Sequence, residues 1–281
     1  MMTQDLTKLP PPSVVELLDY ETIFQRHRSD LLARYPAAES VIDLESEPLV
    51  KLVEAHAYRE LLYRARVNDA ARAYLLAYAT GADLDHKGAF YGLGRMIGES
   101  DERFRKRIQL RVAALAGNGT RDHYELVAMS TSANVHDAIA VQPEPGRVQV
   151  LLWLVDVAQA SLTLPAVLAA LNADDARPLG VPVSVALAQP KAINVTAHIR
   201  REAGAPVNLA AQLQASLPTA LSGYARLGRA VPRSWITTRL HVEGVASVTY
   251  PDPTAPSELT AMAGDEYPVA GLVTIVDEGL Q

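Results

Sequence analysis

The sequence contains no cysteine, few aromatic residues and no long run of uncharged apolar residues. The absence of cysteine excludes disulfide bonds, thiolate metal sites and a cysteine nucleophile, and it fits a reducing compartment. Aromatic residues make up 6% of the 281 residues, while alanine and leucine are abundant. We therefore expect hydrophobic cores built from small aliphatic side chains.

The sequence also lacks the features of membrane and nucleic-acid-binding proteins. Its most apolar stretch, residues 148–171, is interrupted by Asp156 and Pro165 and is too polar to span a bilayer. The first residues, MMTQDLTKLPPPS, have neither the charged region nor the apolar region of a secretion signal. A net charge of −6 disfavours DNA or an anionic membrane as the main partner. These features predict a soluble protein with no membrane insertion.

The first segment combines a proline run with a helical pattern. Pro10–Pro12 cannot enter a helix interior, so residues 1–12 are predicted to form a stiff arm. A helix that ends before Pro36 should follow. Its apolar face should contain Val14, Leu17, Leu18, Phe24, Leu31 and Leu32.

A long helix is predicted over residues 47–79, with Pro48 in its first turn and Gly81 just after its end. It would be about 50 Å long at roughly 1.5 Å per residue. Its apolar residues point in two nearly opposite directions, which is more than one neighbouring element covers, so we predict a subunit interface here. One direction holds Leu49, Val53, Val67 and Tyr78, and the other holds Tyr58, Leu62, Ala65 and Leu76.

The remaining chain mixes helices with short strands. Residues 100–117 form a helical pattern with a predicted buried stripe of Phe104, Ile108, Val112 and Leu115. From residue 135 onward, residues 135–141 and 147–155 predict a hairpin, whose second strand is apolar on both faces and therefore central. Strand–helix–strand units follow over residues 147–187 and 192–250, and Pro218 should kink or divide the second unit's helix.

The predicted fold class is therefore α+β, with an N-terminal arm and a long-helix region followed by mixed α/β domains with short sheets. Four regions are predicted. They are the arm and helix over 1–38, the long-helix bundle region over 39–95, a middle α/β domain over 96–190 and a C-terminal α+β domain over 191–281.

The stretch TGADLDHKGAFYGLGR at residues 80–95 resembles a chemical site but is better explained as a joint. Asp83, Asp85 and His86 suggest metal ligands, yet Asp83 stands where the N-cap of a short helix is expected. The glycines follow a helix and lack the spacing of a phosphate-binding loop. We predict a joint in which Gly81, Gly92 and Gly94 supply permissive backbone.

No catalytic or metal-binding motif stands out elsewhere. The other histidines are far apart in sequence and lack the spacing of metal ligands, and no GxSxG elbow is present. The sequence therefore predicts no catalytic residue, metal or cofactor.

One basic helix face remains. Arg103, Arg107 and Arg111 are four residues apart and share a side. Three interpretations stay open, in decreasing order of weight. The arginines pair in solvent with the chain's own carboxylates, or they dock on an acidic patch of another subunit, or they bind nucleic acid.

Four blocks in a fixed order resemble the phage baseplate assembly protein J family of contractile tails. They are LPPPSVVELLDYETI, LESEPLVKLVEAHAYRELLYRARVNDAARAYLLAYATGADLD, ESDERFRKRIQL and RLGRAVPRSWITTRLHVEGVASV. The resemblance spans nearly the whole chain. Between GLGR and ESDERFR this sequence has only Met96, Ile97 and Gly98, where many relatives carry a longer insertion.

The resemblance implies a wedge subunit of the baseplate of a phage or an R-type pyocin, assembled in the bacterial cytoplasm, and not an enzyme. Copies of the protein would join a smaller wedge partner through a helical bundle that includes the long helix. The wedges would close into a hexameric ring around the hub and spike and contact the sheath-initiator protein.

Two rival functions belong to other classes. One is a metal-dependent hydrolase that degrades the cell envelope, centred on Asp83, Asp85 and His86. The other is a DNA-packaging factor that uses the three arginines at 103, 107 and 111.

Overall fold

The computed structural model describes residues 9–10, 12–174 and 176–280. Most of the predicted arm over residues 1–12 lies outside this described part of the chain. The chain divides into two compact units, Met1–Ile108 and Gln109–Gln281. The division into four smaller domains stays a prediction.

The first unit is built from helices. They are α1 (Tyr20–Arg34), a short 3-10 helix (Pro36–Ser40), α2 (Pro48–Tyr74), α3 (Gly81–Phe90) and the beginning of α4 (Asp101–Ala114).

Helix α1 begins later than the apolar pattern predicted. Asp19 is its N-cap, and a carboxylate oxygen of Asp19 accepts a hydrogen bond of 2.8 Å from the Thr22 amide. Residues 12–18, before this cap, are not helical, and Leu17 and Val14 are exposed instead of sharing the helix face. The end of the helix before Pro36 is confirmed.

Helix α2 ends at Tyr74 and not at residue 79, so it has 27 residues and is about 40 Å long at 1.5 Å per residue. The chain turns at Leu75, and Ala79 then packs with Leu84, Phe104 and other side chains in the first unit's core. After this turn, the Arg105 guanidinium donates to the Leu76 and Ala79 carbonyls at 2.8 and 2.7 Å.

Helix α4 buries a different stripe from the predicted one. Phe104 and Ile108 are fully buried as expected, but Val112 and Leu115 are 42% and 62% exposed. The buried side continues instead through Arg103, Arg107, Leu110 and Ala114. The prediction failed because arginines were assigned to the surface.

The second unit contains the strands. Its elements are α5 (Arg121–Thr131), β1 (Val135–Val141), β2 (Val148–Leu154), α6 (Ala160–Leu171), β3 (Val183–Leu187), β4 (Gln189–Arg201), α7 (Leu209–Tyr224), β5 (Val231–Pro232), α8 (Arg233–Leu240), β6 (Val245–Thr249), β7 (Leu259–Thr260) and β8 (Glu266–Leu280).

The first sheet has the order β1-β2-β3, with β2 in the centre as predicted. Strands β1 and β2 are antiparallel, with Ile139 opposite Leu151, and β2 and β3 are parallel, with Val150 opposite Val185. Helix α6 connects the two parallel strands, since antiparallel neighbours need only a turn but parallel neighbours need a crossover.

The second sheet has the order β6-β4-β8, and a two-stranded ribbon pairs β5 with β7. Helix α7 covers the second sheet with Leu209, Leu213, Leu217 and Leu221, which are four residues apart and buried. The helix continues through Pro218 without being divided, because this buried leucine stripe runs on both sides of the proline. The α+β class is confirmed.

Candidate functional site

One side of α2 is covered by the chain itself. Helix α1 contacts α2, and Val50, Val53 and Ala57 are at most 8% exposed on the covered side. A hydrogen bond of 2.7 Å between His27 Nε2 and Glu60 Oε2 joins the two helices beside this apolar contact.

The rest of the circumference of α2, about half of it at 3.6 residues per turn, carries large apolar side chains that stay exposed within the first unit. We call this set the exposed face of α2, and its members are between 48% and 79% exposed. They are Leu52, Tyr58, Leu62, Tyr63, Val67 and Tyr74. Single exposed apolar residues are ordinary, whereas groups of them are a common feature of surfaces that contact other proteins.

The predicted interface residues of the long helix fall into three groups. Tyr58, Leu62 and Val67 belong to the exposed face, whereas Val53 is buried within the unit. The half-buried members are Leu49, Ala65, Leu76 and Tyr78. Their role in an interface stays a prediction.

Sequence reasoning missed three members of the exposed face. Leu52, Tyr63 and Tyr74 are eleven residues apart. Eleven residues are close to three helical turns, so these side chains stand nearly in line along the helix. This spacing was the available signal.

The predicted joint is held together by polar contacts. Arg95 contacts Asp85 at 2.6 Å and Asp101 at 2.7 Å, and it donates to the Glu99 carbonyl at 3.0 Å. The Gly81 amide donates to Asp101 at 3.1 Å. This bond lowers the pKa of Asp101, as does Arg95, and together they outweigh the opposing effect of partial burial.

Asp83 lies within the first turn of α3, whose N-cap is Thr80. The predicted capping role of Asp83 is therefore wrong, because the helix begins two residues earlier, at Gly81. An acidic side chain there still favours the positive end of the helix dipole. Of the predicted hinge glycines, Gly81 and Gly92 have positive φ angles of 50° and 72°.

Two arginines of the predicted basic face are buried against one carboxylate. The Glu99 side chain is completely buried and contacts Arg103 through Oε1 and Arg107 through Oε2, the latter at 2.7 Å. Arg107 also donates to the Gly94 carbonyl at 3.2 Å. Burial lowers the pKa of Arg103, although the charge of Glu99 acts in the opposite direction. Arg111 is half-buried.

The proposed metal ligands do not come together. Asp85 is engaged by Arg95, and His86 is exposed. Among residues 9–10, 12–174 and 176–280, no three histidine, aspartate or glutamate side chains are grouped to hold a metal ion. In the same described ranges, no helix is both long and apolar enough to cross a bilayer.

The chain combines a helical first unit, which carries an exposed apolar face, with an α+β second unit. Comparison with known families identifies the class of protein to which this combination belongs. Residues 45–101 match the Baseplate J-like N-terminal domain, which covers α2, α3 and the joint. Baseplate protein J of Escherichia phage P2 is 37% identical over 276 residues, covering 89% of this chain and 91% of that protein. The chain belongs to the baseplate protein J family.

Proposed function

We propose that this chain is a structural wedge subunit in the baseplate of a contractile injection machine, either a phage tail or an R-type pyocin. The exposed face of α2 is the observation that carries the proposal. It lies within the residues that match the baseplate family domain, and it has the apolar character of a surface that becomes buried on assembly.

The exposed face of α2 would enter a helical bundle with another copy of the chain and with a smaller wedge partner. Leu52 and Tyr74 lie at its two ends, and Tyr58 and Tyr63 lie between them. Tyrosine is enriched at interfaces because its ring buries a large apolar area and its hydroxyl keeps a polar contact. This composition supports a protein partner.

The second unit would supply the contacts between wedges around the hub and spike. Strand β8 carries Leu272, Val276 and Leu280, which are 73%, 40% and 61% exposed. Strand β8 is an edge of the sheet β6-β4-β8, so these exposed apolar side chains are accessible to a neighbouring subunit. The sheath-initiator protein is a further expected partner in the particle.

Contraction would be triggered by rearrangement at packed interfaces, with the joint at residues 80–95 as a pivot. The Arg95 contacts in this joint are polar and lie near the surface. Such contacts are exchanged at lower cost than a close-packed core. The role of the chain is structural, with no reaction at the joint.

The bundle is tested by Leu62→Asp in assembling particles. Leu62 is 48% exposed in the isolated chain, so the variant should fold and keep its circular dichroism spectrum. Burial of the new charge in the bundle should cost on the order of 3–5 kcal/mol, and complete tails should be absent from electron micrographs.

Leu62→Met is the matched control, because it keeps an apolar side chain of similar volume and should leave assembly intact. If particles that contain Leu62→Asp form and contract like the wild type, the exposed face of α2 is not an interface.

A further inference from the structure

A buried amide on α2 holds the backbone of a distant residue. Asn68 is 6% exposed and lies on the side of the helix away from the exposed face. Its Oδ1 accepts a hydrogen bond of 3.0 Å from the Glu16 amide, and its Nδ2 donates to the Glu16 carbonyl at 2.9 Å. Both polar groups of one peptide residue are thus satisfied by one side chain, as they are in a residue pair of an antiparallel sheet.

The side chain of Glu16 is held as well. Its carboxylate contacts Arg64 Nη1 at 2.7 Å, one helical turn before Asn68. Arg64 also contacts Glu60 at 2.7 Å, and Glu60 contacts His27 of α1. Partial burial raises the pKa of Glu60, but hydrogen bonds from Arg64 and His27 outweigh it and hold that pKa below its ordinary value.

The segment that Asn68 grips has no regular structure of its own. Residues 15–19 are neither helical nor paired in a sheet, and they lead directly into the N-cap of α1. Asn68 is buried, so an unpaired amide at this position would carry the free-energy cost of an unsatisfied polar group, and the Glu16 backbone removes that cost. The Asn68 side chain and the Glu16 backbone therefore satisfy each other's hydrogen-bonding groups.

We propose that Asn68 and Arg64 form a peptide-binding clamp, whose ligand is an extended segment with a carboxylate side chain. In this chain the clamp is occupied by residues 15–17, centred on Glu16. The clamp holds mainly backbone atoms of the bound segment. It therefore fixes the position and direction of that segment and does not depend on the side chains next to Glu16. This site does not depend on the baseplate role.

The clamp has a second consequence for the residue that follows. Successive side chains of an extended segment point to opposite sides, and with the Glu16 carboxylate held against Arg64, Leu17 is directed away from it. Leu17 is fully exposed, at 104%.

The test is hydrogen exchange measured by mass spectrometry on the full chain, with fragmentation that resolves the Glu16 amide. In the wild type this amide should exchange about tenfold more slowly than in an unstructured peptide. Asn68→Leu should abolish this protection. Glu16→Gln is the matched control, because it removes the charge that Arg64 contacts but keeps the backbone grip, so protection should remain.

A second variant covers the case in which Asn68→Leu does not fold. Glu16→Pro removes the amide hydrogen and leaves α2 unaltered, so protease cleavage between Leu17 and Leu18 should become faster than in Glu16→Gln. The proposal is overturned if the wild-type Glu16 amide is unprotected. It is overturned equally if folded Asn68→Leu keeps the protection, or if Glu16→Pro and Glu16→Gln are cleaved at the same rate.

Discussion

At the scale of single residues, the first unit places polar groups in apolar surroundings only where their partners are supplied. Glu99 is completely buried, and Asn68 nearly so, yet each meets complementary groups. In the part of the chain that the structure describes, every buried side-chain nitrogen or oxygen has a hydrogen-bond partner. These groups therefore avoid the free-energy cost of an unsatisfied buried atom and help to fix one arrangement of the helices.

The packing around Gly88 also requires one residue type, because it leaves no room for a side chain. A β-carbon at this position of α3 would lie 2.2 Å from Phe104 Cζ and 3.0 Å from the Leu93 carbonyl oxygen. We predict that Gly88→Ala lowers the free energy of unfolding by roughly 1–3 kcal/mol, because the buried ring of Phe104 must move. Chemical denaturation of the purified chain measures the change.

Gly94→Ala provides the matched control for Gly88→Ala. No atom lies within 4 Å of a β-carbon built at Gly94, and its φ angle is not in the left-handed region. The control should change stability by less than about 0.5 kcal/mol. Equal stability of the Gly88→Ala and wild-type chains would contradict the tight packing of Phe104 on α3.

At the scale of helices and strands, the sequence predicted which elements exist better than where they end. The pattern after residue 47 correctly indicated a long helix, since apolar residues and good helix formers continue for many turns. It did not show the end at Tyr74, after which Arg105, from a distant part of the sequence, donates to the Leu76 and Ala79 carbonyls. Contacts between distant residues are invisible to local patterns.

The buried stripe of α4 was missed for a related reason. The predicted stripe was built from apolar residues alone and assigned arginine to the surface. In the structure, however, Arg103 and Arg107 are 8% and 3% exposed. Their burial follows from the position of Glu99, which lies before the helix and points back into it. By contrast, the N-cap of α5 is a local contact, in which the Thr120 side chain accepts a hydrogen bond from the His123 amide.

The start of α3 depends on a carboxylate of α4, which leads to a prediction about pH. Asp101 accepts a hydrogen bond from the Gly81 amide and has a lowered pKa in the folded chain. Because the folded pKa lies below the ordinary value of 3.8, its stabilising effect is present above that value. The effect is lost as pH falls through the folded pKa.

Asp101→Asn should therefore be less stable than the wild type at pH 7, by no more than about 1 kcal/mol because the side chain is partly exposed. The difference between the two chains should shrink as pH falls below 3.8, since both side chains are then neutral. Urea denaturation at a series of pH values measures it. A difference that stays constant down to pH 2 would contradict the role of the Asp101 charge.

At the scale of the whole molecule, family membership was more accessible from the sequence than the site itself. Ordered blocks along the chain indicated the baseplate family, and the match to residues 45–101 and the phage P2 protein bears this out. The exposed face of α2 was only partly predicted. Which side of a helix stays open depends on where α1 packs, and the sequence of α2 alone does not contain that information.

The last prediction concerns the assembled particle, where the joint would act as a pivot. Arg95 connects Asp85 of α3 with Asp101 of α4, so Arg95→Gln should weaken the closed joint by about 1 kcal/mol. Particles with this variant should contract at lower urea concentration than the wild type, as counted in negative-stain images.

Arg147→Gln is the control for the contraction experiment, because its contact with Glu144 is 3.5 Å long and both side chains are about two-thirds exposed. Such a pair contributes little, so its loss should leave the contraction midpoint unchanged. If Arg95→Gln particles contract at the wild-type urea concentration, the polar contacts of the joint do not hold the particle in its extended state. Failure of Arg95→Gln to assemble would also contradict the pivot, since a pivot acts only after the baseplate is complete.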